Sequence, residues 1–202
     1  AASDVYKRQG QEETKNEQYE SIKTMQHEYH LIDNVDNALA LYDFLRTKEI
    51  LCLDTETTSV HPMEAELVGF SFAVKEKEAW YIAVKDSREE ALKMLSIFKP
   101  LFEDEKILKV GQNIKYDKEV LHNYGITVKG RIFDTMLAHY IIQPELHHGM
   151  DYLAEVYLHY KTVHIEELIG PKGKGQKNMR DLPPEAVYAY ACEDADITLR
   201  LY

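Results

Sequence analysis

The segment Leu51-Cys52-Leu53-Asp54-Thr55-Glu56-Thr57 places the tightest demand on the fold. It opens as an apolar β-strand, and side chains alternate across a strand, so Asp54 and Glu56 share one face roughly 7 Å apart along the chain. Two acids on one face of a core strand are costly unless a cation neutralises them. The chain must therefore bury this strand and still keep its carboxylates within reach of positive charge.

The 202 residues suit one large domain, or one domain with an appendage, and can bury a substantial core. A content of 45% hydrophobic and 29% charged residues matches an ordinary soluble globular protein. No stretch approaches the roughly 18 apolar residues of a membrane span, and the polar N-terminus is no signal peptide. Cys52 and Cys192 are too few for a disulfide framework; they read as small buried fillers in a reduced, cytoplasmic setting. The formal charge of -11 argues against a broad phosphate-binding surface. Action on nucleic acid then requires metal ions at the contact, or a basic surface supplied by a longer parent chain.

Residues 1–26 are polar and lack a sustained apolar period, so they are expected to be disordered or linker. The opening Ala-Ala-Ser-Asp-Val-Tyr-Lys-Arg-Gln has the look of non-native adapter sequence. The domain is expected over 27–202. A short strand is predicted at 27–32, followed by a helix capped by Asp33 or Asn34 with Ala38, Leu41, Phe44 and Leu45 on one face. Strands follow at 50–57, 66–74 and 79–84, the last two joined by the charged turn Lys75-Glu76-Lys77-Glu78, which lacks the usual Gly. A helix over 87–102 carries Leu92, Leu95 and Phe98 as its inner stripe. Strands at 107–110 and 128–133 flank a helix that runs through Leu121. Helices are then predicted near 135–142, 150–159 and 184–202, with a basic Gly/Lys loop at 170–177. Trp80 reads as sheet packing. Leu199-Arg200-Leu201-Tyr202 stops inside a helical pattern, as in a fragment of a longer protein. Strands followed by alternating helix and strand make an α/β domain with a mixed sheet.

Two further carboxylates sit at helical spacings. Asp117 lies four residues after Asn113, and Asp194 four after Tyr190, so each pair shares a helix face. Asp196 points away from Asp194, and Glu193 lies to one side. Carboxylate oxygens without His or Cys partners suit hard divalent ions, Mg²⁺ or Mn²⁺. Two such ions about 4 Å apart can hold the attacking and leaving oxygens of a phosphoryl displacement. A nearby Tyr hydroxyl can orient water without acting as the base. Taken singly, each motif has a plainer reading: a strand end facing solvent, a helix cap with a surface acid, an ordinary helical pair.

In order along the chain, the set is far more specific. Leu53-Asp54-Thr55-Glu56-Thr57, Val110-Gly111-Gln112-Asn113-Ile114-Lys115-Tyr116-Asp117 and Tyr190-Ala191-Cys192-Glu193-Asp194-Ala195-Asp196 resemble the three exonuclease motifs of the DEDD superfamily. More narrowly, they resemble the 3′–5′ proofreading exonuclease domain of bacterial DNA polymerase I. Phe133-Asp134-Thr135-Met136-Leu137, Met150-Asp151-Tyr152-Leu153-Ala154-Glu155 and Glu166-Glu167-Leu168-Ile169-Gly170 extend the similarity over residues 28–202.

The resemblance implies an RNase H-like fold, with a mixed five-stranded sheet flanked by helices. It implies Asp54, Glu56 and Asp194 around one metal, with Asp54 bridging to a second that Asp117 reaches largely through water. It makes Tyr190 the mark of the Tyr variant. Thr57, Gln112, Asn113 and Tyr116 match positions beside the terminal nucleotides. The residues of the basic loop themselves, Lys172, Lys174 and Lys177, read either as a solvated linker or as a mobile loop touching the nucleic-acid backbone, with Lys172 and Lys174 the expected contacts. The pattern departs at His147-His148, where an Arg is expected, and this pair otherwise reads as solvated loop histidines. The implied activity is two-metal 3′–5′ removal of nucleotides from a DNA 3′ end, single-stranded or frayed, proofreading for the polymerase domain of a parent chain. An RNA exonuclease akin to RNase D and a catalytically silent scaffold are the alternatives.

Overall fold

The apolar runs become strands, and their alternation decides which helices cover each face. The structure, a computed structural model, describes residues 19–84 and 87–202. In chain order the elements are β1 (Glu20–Ser21), β2 (Glu28–Ile32), α1 (Val35–Leu45), β3 (Ile50–Thr57), β4 (Leu67–Lys75), β5 (Glu78–Ala83), α2 (Arg88–Glu103), β6 (Leu108–Gly111), α3 (Ile114–His122), β7 (Ile132–Asp134), α4 (Thr135–Ile142) and α5 (Met150–Leu153). A π-helical segment (Ala154–Leu158), β8 (Tyr160–Lys161), α6 (Ile165–Ile169), a 3₁₀ turn (Met179–Asp181) and the long α7 (Pro184–Leu201) complete it.

The main sheet runs β2-β5-β4-β3-β6-β7. Pairings of β4 with its neighbours β3 and β5 are antiparallel, and the others are parallel. It is mixed, as expected, and one strand wider than the five counted. On one face Leu51, Leu53, Phe70, Phe72 and Ile82 meet α1, α2 and α3 through Leu41, Phe98, Phe102 and Val120. On the other, Cys52, Ala73, Ala79 and Tyr81 meet α7 through Ala191, Cys192 and Ala195. Those small side chains let α7 lie close against the strand that carries Asp54 and Glu56. Both cysteines are buried and free.

Asn34, one of the two expected caps, accepts from the Asn37 amide at 2.9 Å, and Ser87 caps α2 by accepting from the Glu90 amide. The stripe of α2 is Ala91, Met94, Leu95, Phe98, Leu101 and Phe102. Leu92, expected inside, is exposed because it stands one residue off that stripe. Phe44 is likewise not part of the buried face of α1; it lies across Trp80, whose own packing is as expected. The strand predicted at 128–133 shortens to Ile132–Asp134. Gly130 stands in its path at φ 84°, with its would-be Cβ only 2.8 Å from the Glu105 carbonyl oxygen. The helix predicted at 150–159 splits into an α-turn and the wider π segment, ending at His159 with φ 50°.

The hairpin without Gly closes on Lys77 at φ 66°. A buried acid compensates: Asp196 on α7 accepts from the Lys77 amide at 2.6 Å and from the Tyr29 hydroxyl at 2.8 Å. Glu193, equally buried, accepts from the Tyr160 hydroxyl at 2.6 Å and the Val163 amide at 2.7 Å. These two neighbours of Asp194 thus hold the fold together. The disorder expected over 1–26 needs correction at its end. Glu20–Ser21 pairs with Tyr160–Lys161, and Met25 is buried beside Ala154, Tyr160 and Ile197, an apolar anchor too short to show as a period. The remainder of that expectation, with the adapter-like opening, lies outside the described residues. Among the described residues, no helix is long and apolar enough to cross a membrane.

Candidate active site

Strand β3 brings Asp54 and Glu56 to the face covered by α7, and the helix lowers Asp194 onto them. One oxygen from each of the three carboxylates lies within 4.8 Å of the others. Glu56 and Asp194 are buried, and Asp54 is largely so. Glu56 Oε1 and Asp194 Oδ1 have no hydrogen-bond partner. Buried carboxylate oxygens left unpaired are expensive, and an all-oxygen set of this spacing fits a hard divalent cation. The residues present therefore fit the metal that the sequence implies.

Electrostatics agree. Burial pushes the Asp54 carboxyl up to about 7. Burial and the charges of Asp54 and Asp117 raise Glu56 well above the usual carboxylate range, and burial with the charges of Asp54 and Glu56 does the same to Asp194. In the absence of a cation these acids resist ionising together. A second group, Glu28, His30 and Glu78, is mostly exposed, and Glu78 already has Lys75 at 3.7 Å. It lacks the buried, unpaired oxygens of the first.

Asp117 reaches the site from the other side of the sheet. It is buried on α3 and accepts from the Thr55 hydroxyl at 2.6 Å. Thr55 points away from Asp54 by strand alternation, so Asp117 couples to the cluster through charge rather than direct contact. The sequence motif contained Thr55 without revealing this role. Tyr190, one turn before Asp194, is largely buried. Its phenol is held far above its ordinary value by burial first, then by the charges of Asp194, Glu56 and Asp54.

Beside the carboxylates lies a cavity of about 490 Å³ lined by Glu56, Thr57, Ser59, Val60, Asn113 and Tyr116 on one side, and by Ile165, Gln176, Lys177 and Asn178 on the other. Of the expected substrate residues, Thr57, Asn113 and Tyr116 line it. The Thr57 and Tyr116 hydroxyls touch, and both reach the Ser59 carbonyl. Asn113 adopts φ 55° and makes no side-chain cap. Asp134 caps α3 in its place, accepting from the Asn113 and Ile114 amides at 3.1 and 3.0 Å as well as from Met136 and Leu137 in α4.

Gln112 does not line the cavity. Its amide donates to the His148 carbonyl at 2.7 Å, and its oxygen accepts from Thr135. His148 is not simply solvated either, since its Nδ1 lies 2.7 Å from that of buried His139. Lys172 and Lys174 are exposed outside the cavity lining, which the same loop reaches through Gln176 and Lys177. Asn178, which no sequence motif marks, donates to the Thr58 carbonyl at 2.8 Å and ties the loop to the end of β3.

A family model described as 3′–5′ exonuclease matches residues 29–202. The chain is 42% identical to DNA polymerase I of Pseudomonas aeruginosa over 170 residues, covering 78% of this chain and 18% of that protein. It is 33% identical to DNA polymerase I of Borreliella burgdorferi over 193 residues, covering 94% of this chain and 20% of that one. The chain thus spans about a fifth of the length of these relatives. Among solved structures, RNase D of Escherichia coli superposes with a TM-score of 0.64 at 21% identity, covering 86% of this chain and 43% of that chain. NrnC of Brucella melitensis bound to pGG gives 0.61 at 19% identity, covering 88% and 78%. At such identities these likenesses speak for the fold, which is RNase H-like. With its ordered motifs, its acid cluster and a family match that reaches Tyr202, the chain belongs to the 3′–5′ exonuclease family of DNA polymerase I.

Proposed function

We propose that the domain removes nucleotides from DNA 3′ ends by a two-metal mechanism and proofreads for a polymerase carried on the same parent chain. The observation that carries this reading is the cluster of Asp54, Glu56 and Asp194, with two buried oxygens left unpaired. These three would hold one Mg²⁺ or Mn²⁺, and Asp54 would also serve a second, on which Asp117 would act largely through water. Bound there, such ions supply an activated water and neutralise the charge on the leaving 3′-oxygen.

The protein's own groups do the rest. Tyr190 orients the attacking water by hydrogen bonding, and even at an ordinary phenol pKa of about 10 it need not be the base. The water oxygen bonds to phosphorus as the bond to the 3′-oxygen breaks, and the proton lost by that water is balanced by one taken up from solvent at the leaving 3′-oxygen, giving a 5′-monophosphate and a 3′-hydroxyl strand shortened by one nucleotide. Thr55 keeps the Asp117 carboxylate aimed. Thr57, Asn113 and Tyr116 wall the space for the terminal nucleotide, and Lys177 with the exposed Lys172 and Lys174 offers positive charge to the strand behind it. A frayed or single-stranded end suits such a cavity because no stacked pair must be opened.

Digestion of 5′-labelled oligonucleotides in Mg²⁺ tests the reading. Stepwise loss from the 3′ end of single-stranded and mismatched DNA, abolished by EDTA and by Asp54→Ala, is expected. Faster digestion of a matched RNA would favour the RNase D-like alternative that the fold also fits. Absence of metal-dependent digestion in the full parent chain would leave only a scaffold.

A further inference from the structure

Among the described residues, three buried oxygens without partners are Glu56 Oε1, Asp194 Oδ1 and the hydroxyl of Ser71. The first two belong to the carboxylate cluster. The third is on β4, in the middle of the sheet, and is 1% exposed. The ladder sets Ser71 directly opposite Asp54. Its neighbours Phe70 and Phe72 pack into the core on the α2 side, while Ala73 packs against the α7 side, so Ser71 faces the α7 side with Asp54. Directly opposed side chains on one face have Cβ atoms about 5 Å apart. A hydroxyl that makes no hydrogen bond among the described residues is thus held beside a carboxylate.

The adjacent position on this face is taken up by an aromatic ring. Next along the face, Gly69 is opposite Glu56. A Cβ at Gly69 would meet the Tyr81 ring at 2.2–2.4 Å, so the ring occupies that space, with its hydroxyl donating to the Val68 carbonyl at 3.3 Å. The Tyr81 phenol is thereby committed elsewhere. The Ser71 hydroxyl, on the same face, remains without a partner among the described residues.

We infer that Ser71 is a positioning residue for Asp54: its hydroxyl donates to the Asp54 carboxylate when the cluster holds a cation, fixing which oxygen faces the ion. The inference rests on the cation reading above. A donor behind a liganding carboxylate orients it, and loss of such a donor weakens metal binding by about 10-fold or more. Ser71→Ala also removes a buried hydroxyl that has no partner in the metal-free fold, so it should not destabilise that fold.

The test is Mn²⁺ binding by calorimetry, with melting in EDTA measured in parallel, on the native chain, Ser71→Ala and Asp54→Ala. We expect Ser71→Ala to weaken Mn²⁺ binding by about 10-fold while its Tm in EDTA is unchanged or higher. Unchanged Mn²⁺ affinity in Ser71→Ala would overturn the assignment. A lowered Tm in EDTA would also overturn it, by marking Ser71 as packing alone. Absence of Mn²⁺ binding by the native chain would instead strike the cation reading itself, so the two failures are distinct.

Discussion

Asp54→Asn should stabilise the metal-free protein, the opposite of what an ordinary buried substitution does. Burial moves the Asp54 carboxyl from its ordinary 3.8 to about 7. Displacing a carboxyl titration by about three pH units costs about 4 kcal/mol. The sign follows from the direction. Below about pH 4 the acid is protonated in both folded and unfolded chains, and no penalty exists. Between about pH 4 and 7 the unfolded chain ionises while the folded one resists, so stability falls as pH rises; above about 7 the loss is complete. Asparagine keeps the shape and carries no charge. In EDTA near pH 8 the variant should melt on the order of 10 °C above the native protein, at about 2–4 °C per kcal/mol for a chain of this size. Near pH 4 the two should converge. Mg²⁺ at a hundredfold excess over Kd should stabilise the native protein by about 2.7 kcal/mol, raising its Tm, and leave the variant nearly unmoved. A variant that melts no higher than native in EDTA at about pH 8, or a gap that persists at about pH 4, would show that burial does not hold the Asp54 carboxyl up.

Tyr190→Phe should lower kcat by about 10- to 100-fold with KM nearly unchanged, since only the water-orienting hydroxyl is lost; single-turnover digestion checks this, and a loss as deep as that of Asp54→Ala would contradict it. Thr55→Val removes the donor to Asp117 without changing shape, and should cost about 1–3 kcal/mol of stability by urea titration together with a severalfold fall in digestion rate. An unchanged rate would detach Asp117 from the chemistry. Gly130→Ala forces a Cβ against the Glu105 backbone at positive φ, and should cost more than about 1 kcal/mol by chemical denaturation. An unshifted midpoint would show that the turn can relax.

The long elements were legible because their signals are local: alternation gave β3, β4 and β5, and periodicity gave α2 and α7. Alternation also put Asp54 and Glu56 on one face, and helical spacing put Tyr190 and Asp194 together. What the chain order hid is tertiary. A single Met25 buries the end of a polar segment, and Gly130 cuts a strand short only because the Glu105 backbone lies against it. Asp134 caps two helices at once, which no linear spacing announces. Gln112 matched a substrate position by motif, yet the His148 carbonyl and Thr135 claim its amide. Glu193 and Asp196 differ from Asp194 only in direction around α7, and that direction makes them braces for the fold.

Anomalous diffraction from crystals soaked in Mn²⁺ locates the cation itself. A peak bounded by carboxylate oxygens of Asp54, Glu56 and Asp194, lost in Asp54→Ala, is expected. Well-ordered crystals at saturating Mn²⁺ with no peak among these three side chains would mean that the cluster does not bind metal.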